Sequence, residues 1–134
     1  MDRLDKIFKA YDVRGLVHDE LDVEVAEAIG YAFARFARSP RIVVGHDMRP
    51  SGELLVDAFI AGANRAGVAV DDMGLCSTDM LYFASGRLDE PGATFTASHN
   101  PAQYNGIKMC LAGARPVGEQ TGLADIKEGA RAFL

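Results

Sequence analysis

Residues 94–108 read T-F-T-A-S-H-N-P-A-Q-Y-N-G-I-K, and the interpretation of the whole chain starts from this stretch. An apolar and β-branched run, Ala93–Ala97, predicts a buried strand, and a second run begins at Ile107. Pro101 fixes its own φ and disfavours helical geometry in the residue before it. Asn105-Gly106 is a strong turn signal. The segment between the two runs is therefore predicted to be a polar loop at the end of a strand.

This loop is expected to bring together a hydroxyl, an imidazole and an ammonium group, on Ser98, His99 and Lys108. Loops carried by a rigid sheet are where binding and catalytic groups concentrate. A serine hydroxyl is a weak nucleophile without a base or a metal beside it. The sequence contains no G-x-S-x-G elbow and no evident Asp–His pair to activate it for hydrolysis. Phosphoryl transfer, which depends on positioning and positive charge, fits these residues better.

The overall composition is that of one soluble globular domain. The chain has 134 residues, of which 49% are hydrophobic and 25% charged. A net charge of −5 argues against general nucleic-acid binding. No apolar stretch reaches the length of about 18 residues that a membrane helix needs, so no membrane association is expected. The first residues, M-D-R-L-D-K, lack the apolar region of a signal peptide.

The two cysteines, Cys76 and Cys110, have neither metal-ligand spacing nor the pattern of a disulfide framework. Reduced thiols and a cytoplasmic location are therefore expected.

Helical and strand patterns alternate along the chain. Asp22, Ser51 and either Ser77 or Thr78 are the expected helix N-caps. The expected helices are Asp22–Ala37, Gly52–Ala66, Met80–Gly86 and Thr121–Leu134, and the expected strands are Ile7–Gly15, Arg41–Gly45, Val68–Val70, Ala93–Ala97 and Ile107–Leu111.

Such alternation predicts an α/β fold with three layers, in which a mixed and mostly parallel sheet of about four strands lies between helices. The last two strands are joined by only nine residues, 98–106, so that pair is expected to be antiparallel. We treat residues 1–134 as a single domain.

Two further segments could face the serine loop. Residues 7–15 read I-F-K-A-Y-D-V-R-G, and on the residues alone an ordinary strand with surface charges is the favoured interpretation. Residues 45–52 read G-H-D-M-R-P-S-G and connect a strand to a helix N-terminus, a geometry that favours anions. A capped connection with a solvated arginine explains the second segment equally well.

These segments together resemble the α-D-phosphohexomutases, the phosphomannomutase/phosphoglucomutase family. The similarity rests on T-A-S-H-N-P at residues 96–101, Y-N-G-I-K at 104–108, Y-D-V-R-G at 11–15 and G-H-D-M-R-P-S at 45–51. The resemblance implies the fold of the family's first domain and implies that Ser98 is the phosphorylated residue. It also implies catalytic roles for Ser98, Lys108 and His99, and substrate or phosphate binding by Tyr11, Arg14, Arg49 and Asn100.

In the mechanism that the resemblance implies, phosphorylated Ser98 donates its phosphoryl group to a hexose phosphate. The resulting hexose 1,6-bisphosphate reorients and returns its other phosphate to Ser98. Lys108 would act as general acid and base, and His99 would support proton movement or phosphate orientation. Mg²⁺ would bind Ser98 through its phosphate, with its remaining ligands in another domain.

The resemblance covers only the first of the family's four domains, since the aspartate-rich metal loop and the sugar-binding loop are absent. We therefore expect the chain to need the missing domains as partners and to show no turnover by itself. The expected substrates are mannose or glucose 1- and 6-phosphates. Two alternatives remain open: the first domain of a phosphoglucosamine mutase, and a non-catalytic module that binds phosphosugars or docks to a partner.

Overall fold

A computed structural model describes residues 2–134, in which helices and strands alternate. The helices are α1 (Arg3–Ile7), α2 (Val23–Ala37), α3 (Gly52–Arg65), α4 (Thr78–Leu88) and α5 (Leu123–Phe133). The strands are β1 (Val13–Leu16), β2 (Arg41–His46), β3 (Ala69–Leu75), β4 (Gly92–Phe95), β5 (Tyr104–Leu111) and β6 (Arg115–Pro116). A single 3₁₀ turn, Glu119–Thr121, precedes α5.

The strands form one mixed sheet in the order β1-β5-β4-β2-β3, with the short β6 also paired to β5. The prediction of an α/β fold with a mixed sheet is confirmed, and β4 and β5 are antiparallel as expected. The predicted strand number was too low, because the sheet has six strands and not about four. Parallel pairing joins only β3, β2 and β4, so the sheet is less parallel than predicted.

Helices cover both faces of the sheet and give the three layers that the sequence predicts. On one face α2, α3 and α5 pack together, and the rings of Phe33, Phe59 and Phe95 meet there. The Phe59 and Phe95 rings are 5.3 Å apart in an edge-on arrangement. On the other face α4 packs through Leu81 against Val43. Burial on both faces explains why β2 and β4 read as continuous apolar runs.

A predicted residue occupies the N-cap position at all three sites, and at two of them its side chain makes the capping hydrogen bond. Asp22 accepts a hydrogen bond from the Val25 N–H at 2.9 Å, and Ser77 accepts one from the Met80 N–H at 3.1 Å. Ser51 is the N-cap residue of α3, as predicted, but its hydroxyl makes no capping bond. It accepts a hydrogen bond from the side-chain amide of Asn105 instead.

The prediction of a turn at Asn105-Gly106 is wrong, because both residues lie inside β5. They pair with Gly15 and Arg14 of β1, whose backbone supplies hydrogen bonds that a local turn would otherwise provide. Residues 7–15, predicted as one extended segment, instead hold the end of α1, a bend and the start of β1.

Within residues 2–134, the helices are too short or too polar to cross a membrane.

Candidate active site

Four strands bring the predicted site residues to one edge of the sheet. Strands β2 and β4 are parallel neighbours, so the loops that follow them lie side by side. The loop after β4, residues 96–103, carries Ser98, and the loop after β2 carries Arg49. Arg14 comes from β1, and Lys108 comes from β5, which lies between β1 and β4.

Ser98 is exposed at the surface of its loop and has a left-handed backbone conformation, with φ 52°. Such a conformation is uncommon for a residue with a side chain and persists only where the surroundings impose it. The Ser98 N–H donates a hydrogen bond to Oγ1 of Thr96 at 3.0 Å. The hydroxyl is therefore accessible to a substrate while its backbone is held in place.

Arg14 reaches Ser98 from the neighbouring strand. Its Nη2 donates to Ser98 Oγ at 3.3 Å, and its Nη1 donates to Asn100 Oδ1 at 2.9 Å and to the Ala97 carbonyl at 3.3 Å. Its Nε donates to Asp12 Oδ2 at 2.9 Å. A guanidinium placed in this way suits the planar geometry and charge of a phosphate group.

Asp12 connects the two cations of the site. Its carboxylate is buried, and Oδ2 accepts hydrogen bonds from both Arg14 Nε at 2.9 Å and Lys108 Nζ at 3.0 Å. Ser98, Arg14, Asp12 and Lys108 thus form one continuous network. Asp12 was not predicted as a site residue, although its position within Y-D-V-R-G, residues 11–15, was a signal for it.

Arg49 lies on the inner side of the serine loop, and its side chain is only 4% exposed. Its terminal nitrogens donate to four backbone carbonyls of residues 98–104, and its Nε donates to Asp47 Oδ2 at 3.3 Å. These bonds account for all five N–H groups of the guanidinium. Arg49 is close to Ser98, as the sequence predicts, but in this conformation it has no free N–H group for a phosphate.

The remaining predicted residues lie around the rim. His99 is exposed beside Ser98 in sequence, and Asn100 is half-buried with its amide oxygen on Arg14. Tyr11 is 83% exposed and lines a cavity of about 430 Å³ together with Ala10 and residues 116–121. The structure therefore gathers Ser98, Arg14, Asn100 and Lys108 in one network, whereas Tyr11 and His99 extend toward solvent.

Residues 5–132 match the family model described as "Phosphoglucomutase/phosphomannomutase, alpha/beta/alpha domain I". The chain belongs to the phosphoglucomutase/phosphomannomutase family. A phosphomannomutase of Escherichia coli K12 is 44% identical over 126 residues, which are 93% of this chain and 28% of that protein. A protein of Xanthomonas campestris named "Phosphohexose mutases" is 43% identical over 122 residues, 90% of this chain and 27% of its own length.

A solved structure shows the same similarity in three dimensions. The crystal structure of a phosphoglucomutase/phosphomannomutase family protein from Burkholderia thailandensis superposes with a TM-score of 0.85 at 35% identity. The match covers 99% of this chain and 31% of that one. This phosphoglucomutase/phosphomannomutase domain thus spans less than a third of the length of each of these three relatives.

Proposed function

We propose that this domain carries the phosphoserine of a mutase that interconverts hexose 1-phosphates and hexose 6-phosphates, with mannose or glucose phosphates as substrates. The observation that supports this most is the hydrogen bond from Arg14 to the exposed hydroxyl of Ser98, with Lys108 linked to Arg14 through Asp12. Positive charge at an accessible hydroxyl is what phosphoryl transfer requires. The names of the relatives support the same substrates.

In the proposed reaction, the bond between phosphorus and Ser98 Oγ breaks while phosphorus bonds to a sugar hydroxyl. Lys108 donates a proton of its ammonium group to Ser98 Oγ as that bond breaks, and the proton of the sugar hydroxyl passes to Lys108 in exchange. The bisphosphorylated sugar then reorients, and the same steps run in reverse with its other phosphate. Arg14 neutralises charge on the transferred group throughout.

His99, Asn100 and Tyr11 are proposed to orient the substrate and its phosphates. Asn100 and Ser98 both accept hydrogen bonds from the Arg14 guanidinium, which supports this role for Asn100. His99 and Tyr11 are exposed and free to contact a sugar that approaches from solvent.

Mg²⁺ is the cofactor that the family implies, and the described residues supply only part of a site for it. Residues 2–134 contain no group of three or more His, Cys, Asp or Glu side chains that could hold a metal ion. Asp12 already accepts hydrogen bonds from two cations. In this chain only the phosphate on Ser98 would contact Mg²⁺, and we propose that the other ligands belong to a domain outside it.

The proposed partners are the other domains of a full-length mutase, because this chain spans 28% of the E. coli relative. The chain alone is accordingly proposed to show no turnover in a coupled mutase assay. A cytoplasmic location and the absence of nucleic-acid binding stay predictions from composition.

A domain exchange would test the proposal. Residues 5–132 would replace the matching first domain of the E. coli phosphomannomutase, to which the chain is 44% identical. We expect the chimera to interconvert mannose 1- and 6-phosphates and the Ser98→Ala chimera to lose this activity. A folded chimera without activity, or a Ser98→Ala chimera that keeps it, would contradict the proposed function.

A further inference from the structure

Arg49 and Arg14 both lie next to Ser98, but they contact different parts of it. Arg14 donates to the side-chain hydroxyl, whereas Arg49 donates to the backbone carbonyl at 2.9 Å. We propose that Arg49 is a positioning residue, which fixes the conformation of the serine loop and does not contact the transferred phosphate. The role of the loop as carrier of a phosphoserine rests on the proposed function, whereas the contacts of Arg49 with the loop do not.

The bonds of Arg49 join points along the whole loop. Nη2 donates to the carbonyls of Ser98 and Asn100, each at 2.9 Å, and Nη1 donates to those of Pro101 at 2.6 Å and Tyr104 at 3.1 Å. The loop therefore turns its carbonyl oxygens inward around one planar cation. Inward-facing carbonyls without donors would be costly, and charged donors make the stronger hydrogen bonds. The loop conformation thus depends on this guanidinium.

The orientation of the Ser98 hydroxyl follows from the same bonds. Ser98 has a φ of 52°, which a residue with a side chain adopts only under constraint. Its N–H is bonded to Thr96 Oγ1 and its carbonyl to Arg49, so both peptide units around Ser98 are held. This arrangement aims the hydroxyl at Arg14 before any substrate binds.

Arg14 has the properties of a phosphate ligand that Arg49 lacks. Its side chain is 28% exposed, compared with 4% for Arg49. Two of its bonds, to Ser98 Oγ and to the Ala97 carbonyl, are long at 3.3 Å each, and phosphate oxygens could replace them. The same residue type therefore serves two purposes in one site, with Arg14 facing the ligand and Arg49 facing the protein.

NMR spectroscopy of the wild-type chain with ¹⁵N-labelled arginine tests this assignment, with inorganic phosphate as the probe. We expect the Nε–H signal of Arg14 to move as phosphate is added. The Arg49 signals should stay in place, with Nη protons that exchange more slowly than those of the exposed Arg65. Arg49 signals that shift together with those of Arg14, or that exchange as fast as those of Arg65, would overturn the proposal.

If no arginine signal moved, the site would not bind phosphate, and that result would count against the proposed function. The positioning role would then be decided by Arg49 proton exchange alone, because slow exchange requires the bonds to the loop.

A matched pair of variants gives a second measurement. Arg49→Lys keeps the charge but offers three donors that cannot reach four carbonyls. We expect amide hydrogen exchange at Ser98, Asn100 and Tyr104 to rise by about tenfold or more, with Phe95 in β4 unchanged. Arg65→Lys, at an exposed ion pair, should leave amide exchange unchanged both in the loop and at Phe95. Unchanged exchange in the loop of a folded Arg49→Lys variant would contradict the positioning role.

Discussion

Asp12 holds the cations of the site at fixed positions. It accepts hydrogen bonds from Arg14 and Lys108 through one oxygen, Oδ2, and its side chain is 7% exposed. A buried carboxylate between two cations offsets their mutual repulsion, and it fixes the position of the charged group of each side chain. Asp12 therefore sets the separation between the guanidinium proposed to bind phosphate and the ammonium group proposed to carry the proton.

Replacing Asp12 by Asn should weaken the fold while it leaves the shape of the side chain unchanged. We expect a loss of about 2 kcal/mol in the free energy of unfolding, less than for a fully buried pair because Arg14 and Lys108 remain partly exposed. Urea denaturation at neutral pH measures it. Asp57→Asn, at an exposed position on α3, is the control and should change stability by less than about 0.5 kcal/mol. Equal stability of the Asp12→Asn and wild-type chains would show that Asp12 does not hold the two cations.

Glu90, in the turn before β4, is a second carboxylate that affects stability. One of its oxygens, Oε1, is buried without a hydrogen-bond partner. Burial raises the pKa of Glu90, and the nearby Asp71 raises it further. Since the folded state binds this proton more tightly than the unfolded state does, ionised Glu90 destabilises the fold at neutral pH. That cost disappears as pH falls through the raised pKa.

Glu90→Gln should therefore stabilise the chain at pH 7 and have little effect near pH 4, where an ordinary glutamate is already largely protonated. Thermal unfolding as a function of pH measures the difference. An exposed glutamate on α3 provides the control, and Glu53→Gln should give a curve parallel to that of the wild type. A Glu90→Gln variant that is no more stable than wild type at pH 7 would refute the account of this residue.

At the scale of elements, α2 and α3 approach each other through two glycines. A Cβ at Gly30 would overlap the Phe59 carbonyl of α3, and a Cβ at Gly62 would overlap the Glu27 carbonyl of α2. The two backbones are therefore in direct contact, and both helices can lie on the same face of the sheet as α5. This close crossing keeps that layer compact behind the strands that carry the site.

The same substitution should have opposite effects at two helical glycines. Gly30→Ala forces the helices apart and should cost about 1–3 kcal/mol or more in the free energy of unfolding. Gly86→Ala, in α4 where nothing lies within 4 Å of the added carbon, should stabilise by about 0.5–1 kcal/mol. Chemical denaturation of both variants measures this. Stabilisation in both would mean that the α2–α3 contact is looser than described.

The sequence was most informative where the local structure depends on residues that are close together in the sequence. The apolar spacing and the Asp22 cap predicted α2, and the β-branched run at residues 93–97 predicted β4. The sequence predicted the wrong local structure where pairing with a distant strand determines it. Asn105-Gly106 lies in β5 because it pairs with β1, about ninety positions earlier in the chain. In the site, motif similarity brought Ser98, Arg14 and Lys108 together. The bonds of Arg49 to carbonyls have no sequence signal, because any residue supplies a carbonyl.

At the scale of the whole molecule, the packed core and the residues of the proposed reaction occupy different parts of the fold. The helices and the buried faces of the sheet form the hydrophobic core, and the residues of the proposed reaction lie on the loop after β4 and on the adjacent strands β1 and β5. Ser98 and His99 are exposed there. This chain covers only 28% of the E. coli relative and 31% of the B. thailandensis one, so further domains of such proteins could enclose a substrate over this edge. The domain is therefore proposed to carry the phosphate, and the remainder of such a protein to bind the sugar.

The most direct test of this account uses the chimera in which residues 5–132 replace the first domain of the E. coli phosphomannomutase, because the isolated chain lacks the domains proposed to bind Mg²⁺ and the sugar. Phosphate is mapped on the chimera after incubation with glucose 1,6-bisphosphate, using intact-mass measurement and peptide sequencing by mass spectrometry. The account predicts one phosphoryl group on Ser98, none on the Ser98→Ala variant, and slower labelling of Arg14→Lys, because a lysine ammonium cannot hold Ser98 and Asn100 together. Absence of phosphate from Ser98, or equal labelling of the Ser98→Ala variant, would contradict it.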